Sequence, residues 1–263
     1  MQLEGAVALI TGAGSGIGRA LAQELSRRGC RLLLLGRRAG ELNNTRQMLV
    51  RPDLAECLPL DLADSEQRGL LAGKVAALTS HLDLLINNAG VVAAGDFATQ
   101  PEQDWRMMIE VNLLAPMVIT RAVLPLLKAS GQGRVVNVGS MFGDIAFPCF
   151  AAYSASKFAL RGWSEALRRE LAGDGIGVTY CAPRGTRTAA ADGFARYVQA
   201  FRMTLDTSEA VAAHLVAGIA REARDIYPMG PERLFALIQR LFPRLIDRGV
   251  IGQFRTARQR MEP

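Results

Sequence analysis

The stretch Thr11-Gly12-Ala13-Gly14-Ser15-Gly16-Ile17-Gly18 decides the fold. It directly follows an apolar run, Ala6 to Ile10, and opens an amphipathic pattern from Gly16 to Arg28. Glycines at such a junction permit a tight turn and let backbone N–H groups approach a pyrophosphate at the positive end of a helix. A glycine triplet alone is a weak signal, equally served by a plain strand-to-helix turn. Its place in a first β-α-β unit is what points to a dinucleotide.

Outward from this turn, short β-branched or leucine runs alternate with helical patterns. Arg31 to Leu35, Cys57 to Leu60, Leu82 to Ile86, Arg134 to Val138 and Gly177 to Cys181 read as buried strands. Gly40 to Val50, Ser65 to Ser80, Pro101 to Ala129 and Ala152 to Leu171 read as helices. The alternation predicts an α/β fold, a doubly wound parallel sheet with helices on both faces, whose ligands bind beyond the carboxyl ends of the strands. Past residue 183 the pattern loosens. A loop with a short helix covers Thr188 to Met203, and a helix follows at Ser208 to Arg221. Then come a last strand at Asp225 to Tyr227 and an amphipathic helix from Pro231 to Arg248. With no repeat, low-complexity tract or linker, residues 1–263 are expected to form a single domain.

The chain has 263 residues, 49% of them apolar, enough for a core without staples and too apolar for disorder. Cys30, Cys57, Cys149 and Cys181 have neither metal-ligand nor redox-motif spacing, which predicts a reduced, cytoplasmic protein without a metal site. No run reaches the roughly 18 uncharged apolar residues of a membrane span. The N-terminus has no signal-peptide pattern. The formal charge of +6 belongs mostly to the end of the chain, where residues 231–263 carry seven arginines against three acids. No aromatic platform or groove motif accompanies them, so nucleic acid is not an expected partner.

The second predicted strand ends at Leu35 and is followed by Gly36-Arg37-Arg38. NAD sites usually place a carboxylate here for the adenosine ribose 2′-hydroxyl, but the first acid is Glu41. Arg37 can instead form charge-assisted hydrogen bonds with a 2′-phosphate. NADP(H) is therefore expected ahead of NAD(H), the plainer alternative being a solvated arginine pair at a helix start.

Further motifs make a resemblance specific. The glycine turn, Asn87-Asn88-Ala89-Gly90, Asn112, Ser140 and Tyr153-Ser154-Ala155-Ser156-Lys157 occur in the order and spacing of the short-chain dehydrogenase/reductase family, which the chain resembles over about residues 4–190. The resemblance implies a Rossmann-type fold and hydride transfer between a nicotinamide and a carbonyl or alcohol. It also implies cofactor contacts from Gly12, Gly14, Ser15, Gly16, Ile17 and Gly18, and from Asp61 and Leu62 at the adenine. Asn88, Ala89 and Gly90 would lie beside the adenosine ribose, Tyr153 and Lys157 at the nicotinamide ribose, and Pro183, Thr186 and Thr188 around the carboxamide. Family habit further implies a homo-oligomer, dimer or tetramer.

The residues argue the chemistry as well. Tyr153 and Lys157 are i and i+4 on one predicted helix, so they share a face. A tyrosine ordinarily titrates near ~10, and a neighbouring ammonium is expected to lower that value. Tyr153 would protonate a carbonyl oxygen as hydride reaches its carbon, and Ser140, just past a strand end, would hydrogen-bond the same oxygen. Asn112 resembles the fourth catalytic position. Pro116, four residues on, has no N–H for the Asn112 carbonyl. That predicts a broken helical ladder and a water-linked relay to Lys157, with a plain proline kink as the alternative.

One departure stands out in Pro183-Arg184-Gly185-Thr186-Arg187-Thr188: arginine occupies the place of the family's usual glycine after proline. Arg184 is expected to reach the cofactor or an acidic substrate group, or else to face solvent. The variable lid expected at Ala189 to Leu205 and a wall from Met141 to Phe150 are both apolar, which suggests a hydrophobic long-chain or cyclic ketone, unless they are ordinary packing. The stripe Leu234, Phe235, Leu237, Ile238, Leu241, Phe242, Leu245 and Ile246 is bordered by Arg233, Arg240, Arg244 and Arg248, with a kink expected at Pro243. Such a helix covers the pocket or packs on a partner subunit; an anionic membrane surface is the less favoured third role. The leading expectation is an NADP(H)-dependent ketone or aldehyde reductase that also runs in reverse as an alcohol dehydrogenase. Against it stand a catalytically idle NADP(H) sensor or scaffold, which needs no Ser-Tyr-Lys set, and an epimerase or dehydratase on the same fold.

Overall fold

The computed structural model describes residues 1–188 and 193–261. Its strands are β1 (Val7–Thr11), β2 (Arg31–Gly36), β3 (Ala55–Pro59), β4 (Leu84–Asn87), β5 (Arg134–Val138), β6 (Gly177–Cys181) and β7 (Asp225–Ile226). They form one seven-stranded sheet in the order β3-β2-β1-β4-β5-β6-β7, with every pairing parallel. Parallel strands covered on both faces carry no inside–outside alternation. β1, β4 and β5 are accordingly buried at every residue, which is why they read as near-continuous apolar runs.

The helices are α1 (Gly16–Arg27), α2 (Ala39–Gln47), α3 (Ser65–Gly69), α4 (Leu71–Ala76), α5 (Glu102–Ile109), α6 (Ala115–Ser130), α7 (Ala151–Glu170), α8 (Ala195–Ala200), α9 (Ser208–Ala220), α10 (Glu232–Leu241) and α11 (Pro243–Met261). Successive strand side chains point to opposite faces, so each strand feeds two cores. On one face Ile10, Leu34, Ile86 and Val136 pack with Leu21 and Leu25 of α1 and Leu215 and Ile219 of α9. On the other, Leu9, Leu33, Leu85 and Val135 meet Leu71, Val75, Ile119, Val123 and Leu127. Strand order reverses between β1 and β4, and the crevice beyond their carboxyl ends is where such sheets bind ligands.

Three predicted helices take a different form. Ser65 to Ser80 splits into α3 and α4, because Gly69 and Gly73 weaken the helix. Asp64 caps α3 by accepting from the N–H groups of Glu66 and Gln67. Pro101 to Ala129 contains a π-helical turn, Glu110–Leu114, where the Ala115 N–H bonds to the Glu110 carbonyl just before Pro116. The unbroken segment Glu102–Ser130 is by length and composition apolar enough to cross a membrane, contrary to the sequence expectation. Here one side of it, including Ala115, Ile119, Val123 and Leu127, is buried against the sheet. The C-terminal helix is not kinked but divided. Phe242, at φ −136 and ψ 61, leaves helical geometry because Pro243 follows it, and α11 then runs past the predicted end at Arg248.

Candidate active site

The glycine turn owes its shape to missing side chains. Gly12 has φ 67, and a Cβ there would stand 2.9 Å from Ala89 Cα; a Cβ on Gly18 would collide with the Gly12 carbonyl oxygen. Thr11 ties the turn to β4: its hydroxyl accepts from the N–H groups of Asn88 and Ala89, and its carbonyl from Asn88 Nδ2, all at 2.9 Å. The Ser15 side chain caps none of the first N–H groups of α1, whose first turn holds no acid. That helix end is therefore open to an anion.

Beyond β2, Arg37 and Arg38 are exposed and form no ion pair among the described residues. Glu41 is engaged elsewhere. Arg19 pairs with it at 2.7 Å and also donates to the Gly14 carbonyl and the Thr45 hydroxyl. Arg19 escapes sequence reading because it lies on the amphipathic face pattern of α1 like any solvated arginine. Asp61 forms a local turn, its Oδ1 accepting from the Ala63 N–H at 3.0 Å.

The carboxyl end of β5 delivers Ser140, and α7 delivers Tyr153 and Lys157. Ser140 Oγ accepts from the Phe142 N–H at 3.1 Å, and Ser140 and Tyr153 line the same cleft. Lys157 is 4% exposed, donates from Nζ to the Val138 carbonyl at 3.0 Å and lies 5.8 Å from the centroid of the Tyr153 ring. Burial pushes the Tyr153 phenol up to about 12, with the neighbouring Ser140 side chain opposing, and lowers Lys157 to about 8. In place of the expected lowering by the ammonium, burial of the phenol, which penalises its charged form, sets the direction of the shift. The tyrosine is held protonated while part of its ring still faces the cleft.

Asn112 is 0% exposed and does not line the cleft. Its Oδ1 accepts from the Val91 N–H at 2.8 Å, and its Nδ2 donates to the Val91 carbonyl at 2.9 Å and to Ser156 Oγ at 3.0 Å. It is a clamp between the segment after β4 and α7, seated in the π-helical turn where the regular ladder is interrupted. Sequence reasoning missed a second buried support. Asn87 Nδ2 donates to Asn137 Oδ1 at 2.8 Å, and Asn137 Nδ2 donates to Ser164 Oγ at 2.8 Å, fixing α7 over β4 and β5.

Arg184 lines the cleft, but its guanidinium is engaged by the protein's own acids. Its guanidinium grips Asp206 bidentately at 2.7 and 2.6 Å and donates to Glu232 at 2.7 Å. It therefore ties the loop after β6 to the chain after α8 and to the start of α10. The same loop is held by the Asp206 N–H on the Gly185 carbonyl and the Arg187 N–H on the Asp206 carbonyl, each at 2.9 Å.

These groups meet in one cleft of about 640 Å³. Gly12, Gly14, Ser15, Gly16, Ile17, Gly18, Arg37, Asp61, Leu62, Asn88, Ala89, Gly90, Ser140, Tyr153, Lys157, Pro183, Thr186 and Thr188 all line it. Past Tyr153 the wall becomes aromatic. Phe142 stacks on Phe147 at 5.3 Å, Phe147 meets Phe201 at 4.9 Å, and Phe150 meets Phe194 at 5.6 Å. Residues 189–192 of the expected lid lie outside the described residues; its remainder supplies Phe194, Phe201, Met203 and Leu205. Glu232 and Gln253 close the rim, so α10 and α11 do cover the pocket.

Cys149 is set off from the lining, and burial raises its thiol. His214 bonds the Tyr227 carbonyl and His81 lies 3.5 Å from Asp83, both structural roles. No group of potential metal ligands occurs among the described residues.

The sequence profile of the family described as short chain dehydrogenase matches residues 6–196. A dehydrogenase/reductase SDR family protein 7-like of Anopheles gambiae is 34% identical over 90% of this chain and 79% of its own length. A short chain dehydrogenase/reductase from Burkholderia phymatum in complex with NAD superposes with a TM-score of 0.85 at 25% identity, covering 93% of this chain and 96% of that one. A short chain dehydrogenase from Burkholderia cenocepacia in complex with NADP gives 0.80 at 25% identity, over 95% and 99%.

Proposed function

Because the chain belongs to the short-chain dehydrogenase/reductase family, we propose that it is an NADP(H)-dependent reductase of hydrophobic ketones or aldehydes that also oxidises the corresponding alcohols. Ser140, Tyr153 and buried Lys157, lining the same cleft as the glycine turn, carry this reading.

The residues present fit a dinucleotide. Gly12 and Gly18 leave no room for side chains in the tight turn, and the α1 N-terminus beside it offers uncapped N–H groups to a pyrophosphate. Arg37 and Arg38 stand free for a 2′-phosphate while Arg19 occupies Glu41, the acid that would otherwise favour NAD. When bound, the nicotinamide supplies the hydride for reduction or takes it up in oxidation. Burial keeps the Tyr153 phenol protonated at neutral pH, so its O–H is ready to donate to a substrate carbonyl oxygen. The Ser140 hydroxyl hydrogen-bonds that oxygen and steadies the charge gathering on it. Lys157, charged below about pH 8, offsets the phenolate that Tyr153 leaves behind. Asn112 positions α7 through Ser156, and the phenylalanine wall seats the apolar part of the substrate and excludes water.

Tyr153→Phe removes one hydroxyl and leaves the ring. Turnover of NADPH with a ketone panel is expected to drop by about 10²–10⁴-fold, while NADPH binding, followed by fluorescence, persists. Turnover within threefold of the parent would refute the assignment.

A further inference from the structure

We propose that the α10–α11 hairpin docks this protein on an anionic lipid bilayer, with Leu234, Leu237, Leu241, Phe242 and Leu245 entering the headgroup layer. α10 is amphipathic, but it is mounted with its apolar side outward. Its inner side carries Glu232, which pairs with Arg184, and Ala236, buried against Met141, Tyr180 and Ala182. Spacings of three and four residues place Leu234, Leu237 and Leu241 together on the opposite side. They are 57%, 51% and 62% exposed, and Phe242 and Leu245 continue the patch at 65% and 60%. A soluble helix normally turns such a stripe toward the core.

Charge selects the occupant. Arg233, Arg244 and Arg248 border the patch and form no ion pair among the described residues, while Arg244 and Arg248 rim a hollow floored by Leu241, Phe242 and Leu245. Of the acids on these helices, Glu232 is committed to Arg184, which leaves Asp247 alone against the arginines. A two-fold contact between copies would set this basic patch against itself. Anionic headgroups supply the negative charge this patch lacks, and the acyl boundary receives the leucines. The hairpin's other side rims the cleft through Glu232 and Gln253, and Phe254 stacks on Phe201 at 6.4 Å. The bilayer-facing surface and the aromatic substrate wall are thus two sides of one element.

Flotation of the full-length protein with vesicles tests this. It is expected to float with phosphatidylcholine–phosphatidylglycerol vesicles, to stay behind with phosphatidylcholine alone, and to be released by high salt. Leu237→Glu/Leu241→Glu should weaken binding at least about tenfold by removing inserted apolar surface. Arg233→Gln/Arg244→Gln/Arg248→Gln should weaken it about a hundredfold, at roughly fivefold per arginine. None of these residues lines the catalytic cleft, so ketone turnover in detergent-free buffer should remain. Failure of the parent protein to float at low salt overturns the proposal, as does undiminished flotation of the leucine variant. So does sedimentation showing that the leucine substitutions split a dimer while vesicle binding stays unchanged. Vesicle binding needs neither cofactor nor substrate, so its outcome is independent of the reductase reading.

Discussion

Replacing Arg37 and Arg38 together by alanine probes the cofactor preference where it is physically decided. Both side chains line the cleft next to Gly36, are exposed, and are spent on no acid among the described residues. A charge-assisted hydrogen bond to a desolvated phosphate contributes about 1.5–3 kcal/mol, but water screens these two, so about 1 kcal/mol each is the better figure. The pair then contributes about 2 kcal/mol, roughly a 30-fold change in affinity. NADH lacks the 2′-phosphate and should change by no more than about twofold. Glu41 will not step in as a ribose acceptor, because Arg19 holds it at 2.7 Å. Steady-state kinetics with a fixed ketone should therefore show kcat/KM for NADPH falling about 30-fold against that for NADH. The parent's NADPH constant should also be more salt-sensitive than the variant's. A shift in the NADPH-to-NADH ratio of less than about threefold would refute the 2′-phosphate reading.

Two other expectations follow from the same geometry. Lys157, lowered to about 8 by burial, loses its charge as pH rises through that value, while Tyr153, raised to about 12, stays protonated. The kcat/KM for reduction should be level below about pH 8 and fall about tenfold per unit above it; a profile flat to about pH 10 contradicts the role given to Lys157. Arg184→Gly, which restores the family's usual residue, removes three ionic hydrogen bonds among side chains 21–29% exposed. Discounted for that exposure, the loss is about 1–2 kcal/mol, or a fall in Tm of roughly 3–6 °C by scanning fluorimetry. An unchanged Tm would show that the clamp holds nothing together.

The sheet was largely legible because buried parallel strands write themselves as runs dominated by apolar residues: β2, β5 and β6 match the predicted spans to within a residue. Strand ends were less so. Leu60 and Leu82 are buried and apolar yet lie outside β3 and β4, since burial and strand pairing are separate conditions. Cleft residues such as Gly12, Ser140 and Tyr153 were legible because their chemistry is local to a turn or a helix face. The grip of Arg184 on Asp206 and Glu232 was not, because its partners are 22 and 48 residues away and no short pattern links them. The facing of the α10 stripe was not legible for a different reason. Periodicity reports that a helix has an apolar side, but the facing is set by Glu232 and Ala236, whose inner position only tertiary packing decides.

The cleft has a floor and a roof drawn from distant parts of the chain. Its floor, from the glycine turn to Thr188, precedes in synthesis the residues of α10 and α11 that form its rim. At ~5–20 residues per second of translation, the two emerge some seconds apart. Any part of the groove that folds before this later chain emerges would stand unroofed until α10 and α11 pack against it.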